Sequence, residues 1–382
     1  MPHIKVKPFD SKILDRDSNL VEFRAVSDNG SEIVLVKSGT NRLFLDIIRR
    51  KDEILIKPNK ITKGSDIPLL KSILNSFARE FNLEIIHTNA IEKPTKPKIA
   101  HKYFKTVEDF YDFKSDFKKI KLEVGFGSAR HLLYRANKER DTLFIGIEIH
   151  SASINQLLKQ ITLQNLDNIW VVNYDARLLL EMLPSNILDT IYVHFPVPWD
   201  KKPHRRVISD FFVDEALRVL KKGGILELRT DSNNYYNYSL EVFSKPKVSK
   251  FSVEKNIDID VKSKYEERWR KMDKDIYTLT LESLQESKEK SLSIDFSFDK
   301  VKKDISFPKE TILKEDFFVH FGKKYNIVNK KGFVVECSFG SFNIPEKKMI
   351  VVDDSCCYLP TNPVKSLVNF KAHNLIKEVL NG

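Results

Sequence analysis

The sequence predicts an α/β protein in which a doubly wound, mostly parallel sheet is flanked by two smaller α+β domains. Between Ile120 and Phe243, short apolar strands alternate with amphipathic helices, the pattern of a parallel sheet covered by helices on both faces. The blocks at either end combine alternating apolar runs with single helical patterns. Segments rich in proline, lysine and other polar residues separate these blocks. We therefore expect domains at residues 1–92, 100–282 and 292–382.

Each flanking block has recognisable elements but no chemical motif. In the first block, the patterns predict strands in SEIVLVKSG and EILIKP and a helix in DIPLLKSILNSFAREFN. In the last block, they predict strands in KGFVVECSF and KMIVVDD and a closing helix in PVKSLVNFKAHNLIKEVL. The cysteines, Cys337, Cys356 and Cys357, all lie in this last block, and two of them are adjacent. That spacing suits a tetrahedral metal site poorly, so we expect reduced thiols and no metal.

The central block supplies the strands of the parallel sheet. In chain order they are IKLEVGFG, TLFIGIEIH, IWVVNYDA, LDTIYVHFP and GGILELRTD. Helical patterns such as ASINQLLKQITL and SDFFVDEALRVLKK lie between them. Ligands of such sheets bind outside the carboxyl ends of the strands, so the residues directly after each strand are the candidates for chemistry.

Charge and hydropathy limit the classes of function. The chain has 64 Lys and Arg residues against 53 Asp and Glu residues, with a pI near 9.2, and this excess of positive charge suits a polyanionic partner such as nucleic acid. No apolar run approaches the roughly 18 residues that span a bilayer. The start, MPHIKVKPFDSK, lacks the apolar stretch of a secretory signal. We expect a cytoplasmic protein that binds nucleic acid and no membrane.

A glycine turn follows the first strand of the central block. In EVGFGSAR, Gly125 and Gly127 allow a tight turn and the close approach of a ligand to the backbone. The third glycine of the dinucleotide fingerprint is absent, because Arg130 occupies its position. This departure argues against a bound pyrophosphate.

Acidic residues lie at the ends of the first three strands of the central block. Glu123 precedes the glycine turn, where its charge attracts an ammonium group and repels an anion. Glu148 ends the second strand at about the spacing of a carboxylate that binds ribose hydroxyls, and Asp175 follows the third strand, where it can hold an adenine amino group. A nucleoside that carries positive charge fits this set, and S-adenosylmethionine fits it better than NAD. The alternative is that all three are solvated loop residues around an unrelated turn.

The loop FPVPWDKKPHRR, residues 195–206, follows the fourth strand. Its prolines stiffen the backbone, and Trp199 provides either a packing anchor, which we expect, or a stacking face for a base. The loop also carries a group of cations in position to bind phosphates beside the site, namely Lys201, Lys202, Arg205 and Arg206. A solvated basic surface is the alternative.

The motifs EVGFG, FIGIEIH, NYDA, FPVPWDKKPHRR and LRTD, in this order, resemble the bacterial tRNA (guanine-N7-)-methyltransferases. These are class I methyltransferases with a Rossmann-like fold, and they use S-adenosylmethionine to modify guanosine 46 in the variable loop of tRNA. The resemblance covers roughly residues 105–282, and the loop at 195–206 is its most specific part. It implies that Glu123, Glu148 and Asp175 contact the cofactor.

The same resemblance implies residues that contact the substrate. Lys201 in the basic loop and Asp231 in LRTD match substrate contacts of the family. The segment SKYEERW matches the family's Thr-x-Phe-Glu motif, which implicates Ser263 and Glu266 in holding the guanine.

Val197 departs from the family pattern, because it occupies the position of an active-site Asp in the loop Phe-Pro-Asp-Pro-Trp. Guanine N7 carries no proton in the neutral base, so methyl transfer to it needs alignment and no general base. Nearby carboxylates can accept hydrogen bonds from guanine N1 and N2 and so select guanine over adenine. Asp231 and Glu266 are the expected catalytic carboxylates, with Asp200 as a third.

Two other classes of function remain open at this stage. A non-catalytic tRNA-binding protein would explain Val197 and would transfer no methyl group. An NAD(P)-dependent oxidoreductase would share the sheet and Glu148, but it would have the third glycine and no use for the basic loop.

Overall fold

The computed structural model describes residues 1–62, 66–91, 102–111, 113–262, 264–290, 293–299, 301–302, 305–342 and 345–382. The chain forms two compact units. One combines Met1–Lys98 with Ser293–Gly382, and the other is Ile99–Leu292.

The N-terminal part of the first unit is a run of strands interrupted by one amphipathic helix. Its elements are β1 (Ile4–Val6), β2 (Val21–Val26), β3 (Glu32–Ser38), β4 (Asn41–Arg49), β5 (Ile54–Pro58), α1 (Ile67–Glu80) and β6 (Ile85–Thr88). The Asp66 side chain caps α1 by accepting a hydrogen bond from the Leu69 amide, and the helix buries its apolar face against the strands. The strands and the helix predicted here are therefore present.

The second unit alternates strands and helices. Its elements are β7 (Phe104–Lys105), β8 (Lys119–Val124), α2 (Arg130–Lys138), β9 (Thr142–Ile147), α3 (Ser151–Leu163), β10 (Ile169–Val172), α4 (Ala176–Leu179), β11 (Leu188–His194), α5 (Asp210–Val219), β12 (Leu220–Thr230), α6 (Asn233–Phe243), β13 (Ser249–Lys255), α7 (Lys264–Arg270) and β14 (Tyr277–Ser283). The residues of β9 are buried on both faces, as expected for a parallel strand between helices.

The C-terminal part returns to the first unit. Its elements are β15 (Ile312–Leu313), β16 (Phe318–Ile327), β17 (Phe333–Gly340), β18 (Pro345–Val352), β19 (Cys356–Leu359) and α8 (Leu367–Asn381). The cysteines lie on β17 and β19, and burial raises the pKa of the Cys337 thiol. The Ser366 side chain caps α8 by accepting from the Asn369 amide.

The two flanking segments build one antiparallel sheet, where the sequence predicted two separate domains. Its strands lie in the order β19-β18-β17-β16-β2-β3-β4-β5-β1-β6, with β15 beside β16. Asn326 on β16 lies opposite Val26 on β2, and Ile327 lies opposite Ala25. Apolar side chains from both segments share one core, in which Phe44 and Val334 are fully buried. Neither segment has this core without the other, because each supplies only part of its apolar surface.

The second unit has the doubly wound sheet that the sequence predicted. Its strands lie in the order β13-β14-β12-β11-β8-β9-β10-β7. The strands from β12 to β7 pair in parallel, and β14 pairs antiparallel with both β12 and β13. The chain proceeds from β8 outward to β10 and then crosses to β11 on the other side of β8. This reversal creates a crevice at the carboxyl ends of β8 and β11, where ligands of such sheets bind. In the described parts of both units, no helix is long and apolar enough to cross a membrane.

Candidate active site

The carboxyl ends of β8, β9 and β10 lie side by side. Val124 is opposite Ile147, and Ile147 is opposite Val172. The Gly125 amide donates to the Ile147 carbonyl over 2.8 Å, and the Glu148 amide donates to the Val172 carbonyl over 3.1 Å. The glycine turn and the acidic end of β9 therefore occupy the same edge of the sheet, beside the crevice.

The glycine turn holds the Glu148 carboxylate in place. Gly125 and Gly127 have φ angles of 68° and 50°, which glycine adopts without steric cost. The Gly127 amide donates to Glu148 Oε2 over 3.0 Å, and Glu148 Oε1 accepts from the amides of Ile149 and His150 over 2.8 and 3.0 Å. Each carboxylate oxygen has about two acceptor positions, so Oε1 is fully used and Oε2 can still accept from a ribose hydroxyl.

The Glu123 carboxylate, at the penultimate position of β8, is 4% exposed. Its Oε2 lies 2.8 Å from Nδ1 of His131, in the first turn of α2. No hydrogen bond within the described residues uses its Oε1. A buried carboxylate with one available oxygen suits a cationic hydrogen-bond donor.

Asp175 also follows its strand as predicted, but its charge is compensated. It caps α4 by accepting from the Arg177 amide over 2.8 Å. Its oxygens also accept from the Arg177 guanidinium, with Nε lying 3.0 Å from Oδ1. Asp175 is therefore less able than Glu148 to attract a second cation.

The residue in the left-handed conformation before α2 is Ala129, one position before Arg130. Ala129 has a φ of 56°, and its amide donates to the Phe126 carbonyl over 2.7 Å. Such a backbone favours glycine, so the sequence gives no signal that alanine adopts it here. The turn keeps the shape of a glycine-rich loop despite its missing third glycine.

The basic loop begins beside the end of β12, because the Phe195 amide donates to the Arg229 carbonyl over 2.8 Å. Val197 is 59% exposed and Trp199 is 37% exposed, so the expectation that Trp199 packs in the core was wrong. The Arg205 guanidinium lies 5.1 Å from the centre of the Trp199 ring. A cation over a partly exposed ring leaves both groups available at the surface.

The cations of the basic loop divide into exposed and buried groups. Lys201, Lys202 and Arg205 are exposed, as phosphate contacts require. The Arg206 side chain is only 8% exposed, because its Nε donates to the Pro198 carbonyl over 2.8 Å and its guanidinium packs 4.5 Å from the centre of the Tyr238 ring. The predicted phosphate contact at Arg206 does not fit this burial.

The carboxylate of Asp200 is 53% exposed and lies 3.5 Å from the Arg206 guanidinium. Asp231 follows β12 directly, and its Oδ2 accepts from Lys274 Nζ over 2.8 Å. The Lys274 ammonium also lies 3.8 Å from the centre of the Trp269 ring. Asp231 is thus held at the strand edge by a cation, whereas Asp200 is largely in solvent.

Glu266, in α7, is buried against the sheet. Its Oε1 accepts from Arg229 on β12 over 2.8 Å and from Arg270 over 3.1 Å. The side chains of Glu266 and Arg229 are each 1% exposed, and Arg229 also donates to the Thr278 hydroxyl over 2.7 Å. Ser263, predicted to act with Glu266, lies outside the described residues.

Comparison with known proteins covers almost the whole chain. A family model described as a putative methyltransferase matches residues 118–279. A tRNA (guanine-N(7)-)-methyltransferase of Wolinella succinogenes is 38% identical over 353 residues, which is 91% of each chain. One of Campylobacter jejuni is 38% identical over 396 residues, which is 100% of this chain and 98% of the other. One of Helicobacter acinonychis is 39% identical, with 100% and 97% covered.

The chain belongs to the tRNA (guanine-N7-)-methyltransferase family. The resemblance found in the sequence extended over roughly residues 105–282, whereas these members of the family match across both flanking segments as well. Among solved structures, an rRNA methylase from Streptococcus thermophilus is similar over 46% of this chain and 93% of its own, with 12% identity and a TM-score of 0.33.

The protein also has a cavity of about 400 Å³ against one face of the sheet. Alternate residues of β11, including Tyr192 and His194, line it together with His131 and Glu227. Nε2 of His194 lies 2.7 Å from Glu227 Oε1, and burial lowers the pKa of His194. Sequence reasoning missed these residues, although polar side chains at alternate positions of an apolar strand were a usable signal.

Within the described residues, no group of three or more His, Cys, Asp or Glu side chains is placed to hold a metal ion. The side chains that sequence reasoning overlooked are instead the partners of the predicted carboxylates. These partners are His131, Arg177, Arg229, Arg270 and Lys274.

Proposed function

We propose that this protein transfers the methyl group of S-adenosylmethionine to N7 of guanosine 46 in the variable loop of tRNA, in the cytoplasm. Membership of the family supports the methyl transfer and argues against an oxidoreductase. The observation that carries the proposal is the Glu148 carboxylate, fixed by backbone amides beside the glycine turn at the crevice. A carboxylate in that position accepts hydrogen bonds from ribose hydroxyls.

The residues at the carboxyl ends of β8, β9 and β10 fit S-adenosylmethionine. Glu148 would bind the ribose, and the available Glu123 oxygen would accept from the ammonium group. Asp175 would accept from the adenine amino group, while Gly125 and Gly127 keep the turn clear of side chains. The cofactor supplies an electrophilic methyl group on a positively charged sulfur.

The guanine would be held on the other side of the crevice. Asp231 and Glu266 would accept hydrogen bonds from guanine N1 and N2, and Ser263 would act beside Glu266, whose side chain is 1% exposed in this structure. The partners of Asp231 and Glu266 fix both carboxylates before a base arrives, which lowers the cost of ordering them on binding. Because N7 needs no deprotonation, Val197 in place of the family Asp is compatible with catalysis.

The tRNA backbone would lie along the exposed part of the basic loop. Lys201, Lys202 and Arg205 project where the loop leaves the sheet edge, next to the end of β12. Their charges would bind phosphates, and Trp199 offers a partly exposed face on which a base can stack.

The test is methylation of unmodified tRNA with labelled S-adenosylmethionine, followed by strand cleavage at N7-methylguanosine. We expect cleavage at guanosine 46 and a loss of turnover of at least roughly tenfold in Asp231→Asn, because one hydrogen bond from the base to a charged acceptor is removed. Asp200→Asn is the matched control, and we expect it to keep turnover within about threefold, because its carboxylate is largely in solvent.

Three results would change the proposal. Loss of turnover in Asp200→Asn with both affinities intact would show that Asp200 replaces the missing loop carboxylate. Cleavage at another guanosine would move the target within the tRNA. If the wild-type protein binds the cofactor and tRNA but methylates no guanosine, it is a non-catalytic tRNA-binding protein.

A further inference from the structure

Glu123 and Glu148 are oriented by different means. Three backbone amides fix the Glu148 carboxylate, and their positions follow from the chain itself. The Glu123 carboxylate has a single hydrogen-bonding partner among the described residues, the His131 imidazole at 2.8 Å. A long acidic side chain with one partner keeps its orientation only as long as that partner does.

The His131 ring packs against neighbours on β11. Its centre lies 4.8 Å from that of Tyr192 and 4.7 Å from that of His194. His194 is in turn held by Glu227, and burial lowers the pKa of His194, which favours its neutral form. His131 is therefore packed against aromatic groups whose positions are set by the sheet.

We propose that His131 is a positioning residue for the cofactor. By holding Glu123 Oε2 through Nδ1, it leaves Oε1 available to the ammonium group of S-adenosylmethionine. This inference rests on the proposed function, because it requires that Glu123 bind the cofactor. In this role His131, on α2, does not touch the cofactor. It affects cofactor binding only through the orientation of Glu123.

Two substitutions at His131 separate the hydrogen bond from the packing. His131→Leu removes the hydrogen-bond donor and fills the space of the ring with an apolar side chain. His131→Asn replaces the ring but keeps an N–H group close to the position of Nδ1. We expect the KM for S-adenosylmethionine to rise about tenfold in His131→Leu and to return to within about threefold of wild type in His131→Asn, with kcat and the KM for tRNA changed less than about threefold in both.

His194→Leu is the matched control. It changes a ring in the same cavity, but the partner of His194 is Glu227 and not Glu123. We expect its KM for S-adenosylmethionine to stay within about threefold of wild type. A rise in KM as large as that of His131→Leu would mean that both substitutions act through general packing of the cavity, and it would overturn the proposal. Thermal unfolding of each variant identifies any that fail to fold.

Coupling to Glu123 is the readout that a purely structural role would not give. In Glu123→Gln the positioned carboxylate is gone, so adding His131→Leu should weaken cofactor binding by less than about twofold more. An additional tenfold loss there, or an unchanged cofactor affinity in folded His131→Leu, would overturn the positioning role. Calorimetry of the wild-type protein with S-adenosylmethionine comes first, because absence of binding there contradicts the proposed function and not His131 alone.

Discussion

The two sides of the crevice use the same acidic residue types in opposite electrostatic settings. On the side of β8 and β9, Glu123 and Glu148 accept from a histidine and from backbone amides, and no ion pair with Lys or Arg is formed by either within the described residues. On the side of β12, Asp231 is paired with Lys274, and Glu266 is paired with Arg229 and Arg270.

This difference indicates what each side can bind. A carboxylate with no Lys or Arg partner attracts a cationic ligand more strongly, because no fixed charge offsets its own. Carboxylates compensated by Lys or Arg can stay buried and still accept hydrogen bonds from a neutral base. Asp175 is an exception on the cofactor side, because Arg177 compensates it. An acidic residue at a strand end therefore does not identify its ligand until its partner is known.

The largest effect is expected on stability, where a buried carboxylate is paired with a buried arginine. Arg229→Met leaves Glu266 in a site that is 1% exposed with Arg270 as its remaining cation, and we expect a loss of about 3–5 kcal/mol in the free energy of unfolding, measured with urea. Lys274→Met is the control, with an expected loss below about 1 kcal/mol, because that pair is partly exposed. A loss below about 1 kcal/mol in Arg229→Met would show that the buried pair stabilises the protein no more than the partly exposed one.

A smaller effect is expected on cofactor binding. Glu148→Ala should weaken the binding of S-adenosylmethionine by about 1.5–3 kcal/mol, measured by calorimetry. The substitution removes a charged hydrogen-bond acceptor that has no Lys or Arg partner. Asp175→Ala should cost less than half of that, because the Arg177 guanidinium already reduces its charge. Equal losses in the two folded variants would mean that pairing does not decide how strongly these acids bind the cofactor.

The smallest effect concerns two adjacent arginines of the basic loop. Arg205→Ala should lower the slope of log affinity for tRNA against log salt by roughly 0.7–0.9, because an exposed phosphate contact is lost. Arg206→Ala should leave this slope unchanged and lower the melting temperature instead, because Arg206 is bonded to Pro198 and packed on Tyr238. Equal slopes for Arg205→Ala and wild type would mean that Arg205 is a solvated surface charge that contacts no phosphate.

Sequence patterns predicted the central sheet because each of its strands and helices is encoded locally. The apolar runs that end at Val124, Ile147 and Val172 are strands, and their ends meet at one edge as predicted. The joint flanking sheet was not predictable in this way, because each flank has a self-consistent pattern. Nothing in either pattern identifies Val26 and Asn326 as opposite residues.

The sequence predicted the acidic residues of the candidate site but not the residues that pair with them. The position of Glu148 follows from its spacing after the glycine turn, which is a local property. The burial of Glu266 depends on Arg229, 37 residues away in another element, and no spacing rule connects them. Arg205 and Arg206 are identical in type and adjacent, so only the path of the loop decides that one is exposed and the other buried.

The joint flanking sheet has a consequence for the order of events during synthesis on the ribosome. Val26 and Asn326 are opposite one another in the sheet but are 300 residues apart in the chain. At roughly 5–20 residues per second, β2 emerges about 15–60 s before the strand that pairs with its outer edge. The Ile99–Leu292 unit is completed within that interval and can fold first. Until β16 arrives, the free edge of β2 is open to pairing with other nascent chains.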